Sequence, residues 1–387
     1  MQESGLWPKL PDREIASVYI HAPFCARRCF YCDFAVEVRR TGDLDAWADA
    51  ISQELELRCS AGVRLADRLA TLYVGGGTPS LLGAGAMQRL RAILGSDRLA
   101  AADLEWTAEA NPESLTPEVA AAWRSAGVTR LSLGVQSFEA APLRWMGRLH
   151  GAEGAVRAVE TARASGFEQI SIDLIFSLPE AVERDWSLDL RRVLDLGVPH
   201  VSLYGLTAER GTGLGRGVEA GRVTMPDEDR YRDEYLEAHD RLVAAGYRHY
   251  EVSNFALPGS ESRHNAAYWD RSPYLGLGNG SHSFQAPVRW WNTHEWRDYA
   301  ARLVDGGDPT DAVESLDPAA DRLEQVWTGL RAASGLELDG WGPQGRALAE
   351  RWAQQGLARI ADDRVQLTVD GWLVLDTLAL DFDTAAG

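Results

Sequence analysis

The sequence predicts an α/β protein: a partial (β/α)6 barrel followed by a small C-terminal winged-helix-like α+β domain. Three observations carry this expectation. Short apolar runs alternate with amphipathic stretches of helical period through the first two-thirds of the chain. Glycine and polar clusters follow several of the apolar runs directly, as strand-to-helix turns require. Beyond about residue 225 the pattern breaks, and from about 311 a separate helix-rich pattern begins.

Taken in order, strands are expected at 17–21, 71–75, 104–109, 130–133, 169–175 and 200–204. Helices are expected between them at 43–57, 85–94, 117–125, 153–165 and 186–195. Strand, helix, strand, repeated, gives a parallel sheet with right-handed crossovers. In parallel barrels the chemistry gathers at the C-terminal ends of the strands. Residues 208–224, rich in Gly and Arg, are expected to be a connecting loop, and 226–245 a long charged helix. Residues 247–284 are dense in aromatic and polar groups and show little periodicity. Helices at 321–333 and 344–354, strands at 356–360 and 365–368 about a hairpin at 361–364, and a closing segment at 371–380 complete the last unit. The expected organisation is an N-terminal segment 1–16, a barrel 17–225, an extension 226–310 and a C-terminal domain 311–387.

A formal charge of −18 argues against nucleic acid as a partner, since that needs a basic footprint. No apolar stretch is long enough to span a membrane, and the N-terminus lacks the apolar core of a signal peptide. Four cysteines without a disulfide pattern suit a reducing cytoplasm.

The most informative residues are Cys25-Ala-Arg-Arg-Cys29-Phe-Tyr-Cys32, spaced C-x3-C-x2-C, directly after the first strand. A tetrahedral zinc site and a fully protein-held [4Fe–4S] cluster each need four ligands. Three close thiols suggest a cluster with one iron left open to a small molecule. The only other cysteine is Cys59, and a zinc site completed by His21 is the alternative. Phe30 and Tyr31 sit inside the loop, where they either cover the open iron or pack the loop. The second strand runs into Gly75-Gly76-Gly77-Thr78-Pro79, where backbone can approach a ligand closely. Glu109 ends the third strand, Gln136 the fourth, and Asp173 lies on the fifth. Polar groups at successive strand ends favour one shared polar ligand, with Arg148 either a cation for a carboxylate or a partner in a surface salt bridge.

These motifs resemble the radical S-adenosylmethionine (SAM) superfamily. Ser-Val-Tyr-Ile-His-Ala-Pro-Phe-Cys, Tyr-Val-Gly-Gly-Gly-Thr-Pro-Ser, Gly-Val-Gln-Ser-Phe and Asp-Leu-Ile-Phe-Ser-Leu-Pro resemble, more narrowly, the oxygen-independent coproporphyrinogen III oxidase-like family. The resemblance implies Cys25, Cys29 and Cys32 as [4Fe–4S] ligands. It implies Tyr19, Gly76, Gly77, Thr78, Glu109, Gln136, Arg148 and Asp173 as SAM contacts, with Tyr31 in the cofactor region. The oxidase branch of that family carries a fourth cysteine, C-x3-C-x2-C-x-C, and a long N-terminal extension. Here Phe34 takes the fourth position and only 24 residues precede Cys25.

The other branch, the haem chaperones, is marked by H-N-x-x-Y-W, matched here by His264-Asn265-Ala-Ala-Tyr268-Trp269. The resemblance implies haem as bound cargo near those four residues, with His282 as a further candidate. Histidine is a natural axial ligand to haem iron, and aromatic rings suit a flat macrocycle. An acceptor haemoprotein is the implied partner; a homodimer and peripheral membrane association stay open. The rival expectations are a coproporphyrinogen III oxidase of porphyrin biosynthesis and a radical SAM methyltransferase or haem-degrading enzyme. Whether the chain turns over a substrate at all is left open at this point.

Overall fold

The computed structural model describes residues 11–386. Part of the expected N-terminal segment, residues 1–10, lies outside the described residues. Six strands run parallel in sequence order: β1 (Ser17–Ala22), β2 (Thr71–Gly76), β3 (Glu105–Ala110), β4 (Arg130–Gln136), β5 (Gln169–Phe176) and β6 (His200–Gly205). All six were legible from the alternation, each within one to three residues of its observed bounds. Their residues alternate between an apolar face packed under the helices and a polar inner face that carries Thr71, Thr107, Ser132, Ser171 and Ser202. Val18, Ile20, Leu72, Val74, Trp106, Leu133 and Ile172 are fully buried.

The connecting helices are set by ordinary punctuation. Thr116 caps Pro117–Ala126 by accepting from the Val119 amide, Pro117 occupies the first turn, and Gly127 ends the helix in the left-handed region at φ 115°. Asp185 and Asp227 cap Trp186–Leu196 and Glu228–Ala244 in the same manner.

Six further strands join the same sheet: β7 (Arg248–Glu251), β8 (Asn254–Ala256), β9 (Tyr274–Leu277), β10 (His282–Gln285), β11 (Val288–Asn292) and β12 (Thr310–Ser315). The order across the sheet is β12-β11-β10-β9-β1-β2-β3-β4-β5-β6-β8-β7. β9 pairs parallel with β1, setting Gly276 beside Tyr19, while β8 pairs antiparallel with β6. The extension therefore covers both edges of the six-stranded run, and the whole is one large mixed sheet. Two expectations are corrected here. Residues 247–284 hold four of these strands and the helix Arg263–Trp269, and 208–224 holds the helix Gly213–Glu219. Elements of three to seven residues are too short to show a period.

A second core gathers Val326, Leu330, Trp352, Val365, Trp372 and Phe382 from the C-terminal helices Pro318–Arg331, Gly342–Gln354 and Leu375–Ala386. A three-stranded antiparallel sheet accompanies them, Leu336–Glu337 and Ala358–Ala361 flanking Arg364–Leu367. Asp362 and Asp363 make its two-residue turn with φ 49° and 59°, the geometry a tight hairpin demands. The sheet strand β12 crosses the expected boundary at 311, because Val288 to Asn292 pair with Ser315 to Thr310. Among the described residues no helix is long and apolar enough to cross a membrane.

Candidate functional site

The C-terminal ends of β1 to β6 open onto one cavity of about 380 Å³. Cys25, Cys29, Cys32 and Tyr31 line it from the loop after β1, and Gly76, Gly77 and Thr78 from the end of β2. Glu109, Gln136, Arg148 and Asp173 complete the lining from β3, β4, the segment after it and β5. Eleven of the residues expected from sequence thus share one cavity. Tyr19 does not: its hydroxyl shares a 3.0 Å hydrogen bond with His21 Nδ1, and its ring faces a neighbouring groove. Phe30 turns away to pack edge-on against Trp145, with ring centroids 4.5 Å apart.

The glycines are needed sterically. Gly76 sits at φ 103°, and a Cβ there would fall 2.2 Å from the His21 ring. Its amide donates to Glu109 Oε2 at 2.9 Å. A Cβ on Gly77 would meet the Ala22 carbonyl oxygen at 2.7 Å. Gln136 takes φ 70° at a register shift between β4 and β5, a strained conformation that aims its amide into the cavity region.

Burial dominates the electrostatics. It pushes Glu109 up to about 7, against hydrogen bonds from Tyr73 and the Gly76 amide that hold it down. Burial likewise pushes Asp173 up to about 6, while the Ser132 hydroxyl, 3.1 Å away, opposes it. Burial, reinforced by the two neighbouring thiols, pushes the Cys25 thiol up to about 11 despite its 3.4 Å contact with Thr78 Oγ1. Three arginines line the site, and Arg148 is the least exposed of them, Arg27 and Arg28 being exposed. Arg148 reaches Cys29 Sγ at 3.9 Å and Asn111 Oδ1 at 2.7 Å, and its Nε is buried without a partner.

This lining fits a site-differentiated iron–sulfur cluster with SAM beside it. Among the described residues no three His, Cys, Asp or Glu side chains converge on a single metal ion. The donor set is instead three thiols around one cavity, one for each of three irons. His21 cannot complete a zinc site in this arrangement, because Nδ1 is held by Tyr19 and Nε2 by the Ala35 carbonyl at 2.9 Å. Cys59 lies exposed on the helix Leu44–Ser60 and takes no part. A metal deprotonates a coordinated thiol outright, so the raised Cys25 value describes the free thiol alone. Sequence reasoning noted Asn111 only as part of the polar run ending the third strand, and left out Tyr73, Tyr204, Thr207 and Glu209. Of these, Asn111, Tyr204, Thr207 and Glu209 line the cavity, and Tyr73 donates to Glu109 Oε1 at 2.8 Å. Their position at strand ends was the available signal.

The H-N-x-x-Y-W residues lie on the short helix Arg263–Trp269. Glu105 accepts from the amides of Arg263 and His264, both at 2.9 Å, placing a carboxylate at the helix N-terminus. His264 points inward. Nδ1 meets Thr71 Oγ1 at 2.8 Å and Nε2 meets Tyr268 OH, one turn on, at 2.9 Å. The residue is 1 % exposed, and burial lowers its pKa to about 3. Both ring nitrogens are engaged, so this arrangement does not present His264 to iron, contrary to the sequence expectation. Its ring stacks on Tyr73 at 5.1 Å, which carries contact onward to Glu109. Tyr268 and Trp269, by contrast, line the groove that Tyr19 faces, together with His282. Asn265 is half-buried on the same helix and lines neither space.

The fold and this cavity define a radical SAM protein. The model of the Radical SAM superfamily matches residues 19–193. In solved structures, coproporphyrinogen III oxidase (HemN) from Escherichia coli, a radical SAM enzyme, superposes with a TM-score of 0.79 at 24% identity, covering 96% of this chain and 91% of that one. The chain belongs to the HemW haem chaperone family. It is 39% identical over 365 residues to heme chaperone HemW of Mycobacterium tuberculosis (strain ATCC 25618 / H37Rv), covering 93% of each. It is 32% identical over 370 residues to heme chaperone HemW of Bacillus subtilis (strain 168), covering 92% of this chain and 96% of that one.

Proposed function

We propose that this chain binds haem as cargo and delivers it to an acceptor haemoprotein in the cytoplasm, carrying a [4Fe–4S] cluster and SAM. The observation that carries this reading is family membership along nine-tenths of the chain, joined to a three-thiol cavity with an aromatic groove beside it. Cys25, Cys29 and Cys32 would hold the cluster. Gly76, Gly77 and Thr78 would meet the SAM amino group with backbone and hydroxyl, and Glu109, Gln136 and Asp173 would orient its polar edge. Arg148 would pair with its carboxylate. A cluster of this kind, when bound, supplies an open iron that chelates SAM and a source of one electron. The residues of the cavity hold and orient; Tyr31 shields the thiol loop from water.

Within that reading we take 17–225 as a radical SAM partial barrel, 226–310 as the extension bearing the H-N-x-x-Y-W motif and 311–387 as a winged-helix-like domain. The last would dock the acceptor or a second copy of the chain; peripheral membrane association is a further assembly to test by vesicle flotation. Phe34 stands where the oxidase branch has its fourth cysteine, and it is 56% exposed on the thiol loop. That disfavours the decarboxylating oxidase, and with it the methyltransferase and haem-degrading alternatives take second place.

The test is anaerobic reconstitution followed by two assays. Haem should pass from the loaded protein to an apo-haemoprotein. SAM, reductant and coproporphyrinogen III should give no protoporphyrinogen IX. Formation of that product without haem transfer would make the chain an oxidase.

A further inference from the structure

The groove faced by Tyr19 lies beside the helix Arg263–Trp269, is about 410 Å³ in volume and has two kinds of wall. Tyr268, Trp269, Tyr274 and Phe284 supply aromatic surface. Arg271 and Arg289 supply cations at its edge, and Glu324 of the helix Pro318–Arg331 closes the far side. Arg271 lies over the Phe284 ring at 5.0 Å and pairs with Glu324 at 2.9 Å; Arg289 pairs with the same carboxylate at 3.1 Å and with Glu314 at 2.6 Å.

His282 is the only histidine in this lining. It is exposed, its ring stacks on Trp291 at 5.5 Å, and among the described residues neither of its nitrogens has a hydrogen-bond partner. The buried histidines lie outside this groove, His150 beside Glu113 at 3.5 Å. His200 is held by Ser171 and Tyr250, and His249 pairs with His239 at 2.9 Å. His294, the other exposed one, lies against Glu295. An axial ligand needs a free lone pair facing the space the ring will fill, a flat macrocycle needs aromatic walls, and its two carboxylates need cations at the rim. All three coincide in this groove.

We infer that His282 is the iron ligand for haem bound in this groove, with Arg271 and Arg289 holding the haem carboxylates in exchange for Glu324. This rests on the haem-binding reading above and names its site. His264 then acts as a positioning residue. It fixes Tyr268 at the groove wall from behind, and touches Tyr73, whose hydroxyl is bonded to Glu109 of the strand-end cavity.

The experiment is a spectroscopic haem titration of the full-length protein, wild type against His282→Ala, His282→Met, His264→Asn and Glu324→Gln. His282→Ala should weaken haem about tenfold or more, ~1.4 kcal/mol or above, and lose the imidazole-ligated absorption and electron paramagnetic spectrum. Added imidazole should restore that spectrum. His282→Met should shift the spectrum to that of a sulfur-ligated haem. His264→Asn should keep the wild-type ligand signature. Glu324→Gln should tighten binding of haem and of metal-free protoporphyrin alike. If His282→Ala keeps the wild-type spectrum and affinity, or if His264→Asn alone loses them, the assignment is overturned while haem binding stands. If the wild type takes up no haem, the functional reading falls and this assignment with it.

Discussion

The strand-end cavity and the groove beside Arg263–Trp269 touch through the side chains of Glu109, Tyr73, His264 and Tyr268, with Tyr19 also stacked on Tyr73, yet they are built by opposite means. The cavity draws on six parallel strands, β2 to β6 through residues near their C-terminal ends and β1 through the thiol loop that follows it. Its chemistry is polar: thiols, carboxylates, two side-chain amides and three guanidinium groups around glycines that no other residue could replace. The groove draws on Tyr19 of β1, on the short strands β9 to β11, on a seven-residue helix and on the C-terminal helix Pro318–Arg331. Its chemistry is aromatic, with cations already paired to carboxylates at the rim. A rigid parallel scaffold suits a resident cofactor that must be held in one pose. A groove closed by the C-terminal unit through exchangeable ion pairs suits a cargo that must leave.

The largest expected effect separates the two outright. Cys25→Ala, Cys29→Ala or Cys32→Ala should each abolish cluster assembly, read as loss of iron and sulfide after anaerobic reconstitution, while haem binding in the groove survives. Cys59→Ala should change neither. Haem binding lost together with the cluster would merge the two regions into one site.

Next in size is Glu109→Gln, which should weaken SAM binding about tenfold through loss of a charged partner, on the order of 1.4 kcal/mol. The same variant carries a pH signature. Glu109 rises from 4.5 to about 7 in the fold. Between those values the native chain holds a proton that the unfolded chain has released, so its stabilisation is complete below about pH 4.5 and is lost as pH rises through about 7. Thermal unfolding of the SAM-free protein should therefore show a stability that declines over this window, less steeply in Glu109→Gln. Asp173 contributes in the same sense from 3.8 to about 6.

His264→Ala acts on folding and not on SAM, with an effect of similar size. It strands the Thr71 and Tyr268 hydroxyls in a buried setting and should cost about 1–3 kcal/mol of stability by denaturant unfolding. The exposed Phe34→Ser should stay within about 0.5 kcal/mol, because it loses no packed neighbour of the core.

The two regions also differ in how far the sequence discloses them. The cavity was legible because its residues come in contiguous runs at strand ends, where spacing alone says what must converge. Cys25, Gly76, Glu109 and Asp173 follow from that logic. Tyr19 shares its face of the sheet with Tyr73, which bonds Glu109, but its ring lines the neighbouring groove and not the cavity. Gln136 lines the cavity, as its strand-end position implies, but its strained backbone was invisible to any pattern. The groove was half-legible. The H-N-x-x-Y-W run marks its wall, but the inward turn of His264 follows from a helix capped by Glu105, 158 residues away from Arg263. Arg271, Arg289 and Glu324 meet only through the sheet register and the packing of the C-terminal helix, which no local sequence pattern encodes.

The most direct measurement of whether cofactor and cargo occupy separate places is simultaneous stoichiometry. The protein is reconstituted with iron and sulfide, saturated with SAM and then titrated with haem, while non-haem iron, SAM and haem are counted per chain. The two-site account predicts one cluster, SAM and one haem held together, with neither SAM nor cluster released as haem binds. Displacement of SAM or of the cluster in step with haem uptake would contradict it.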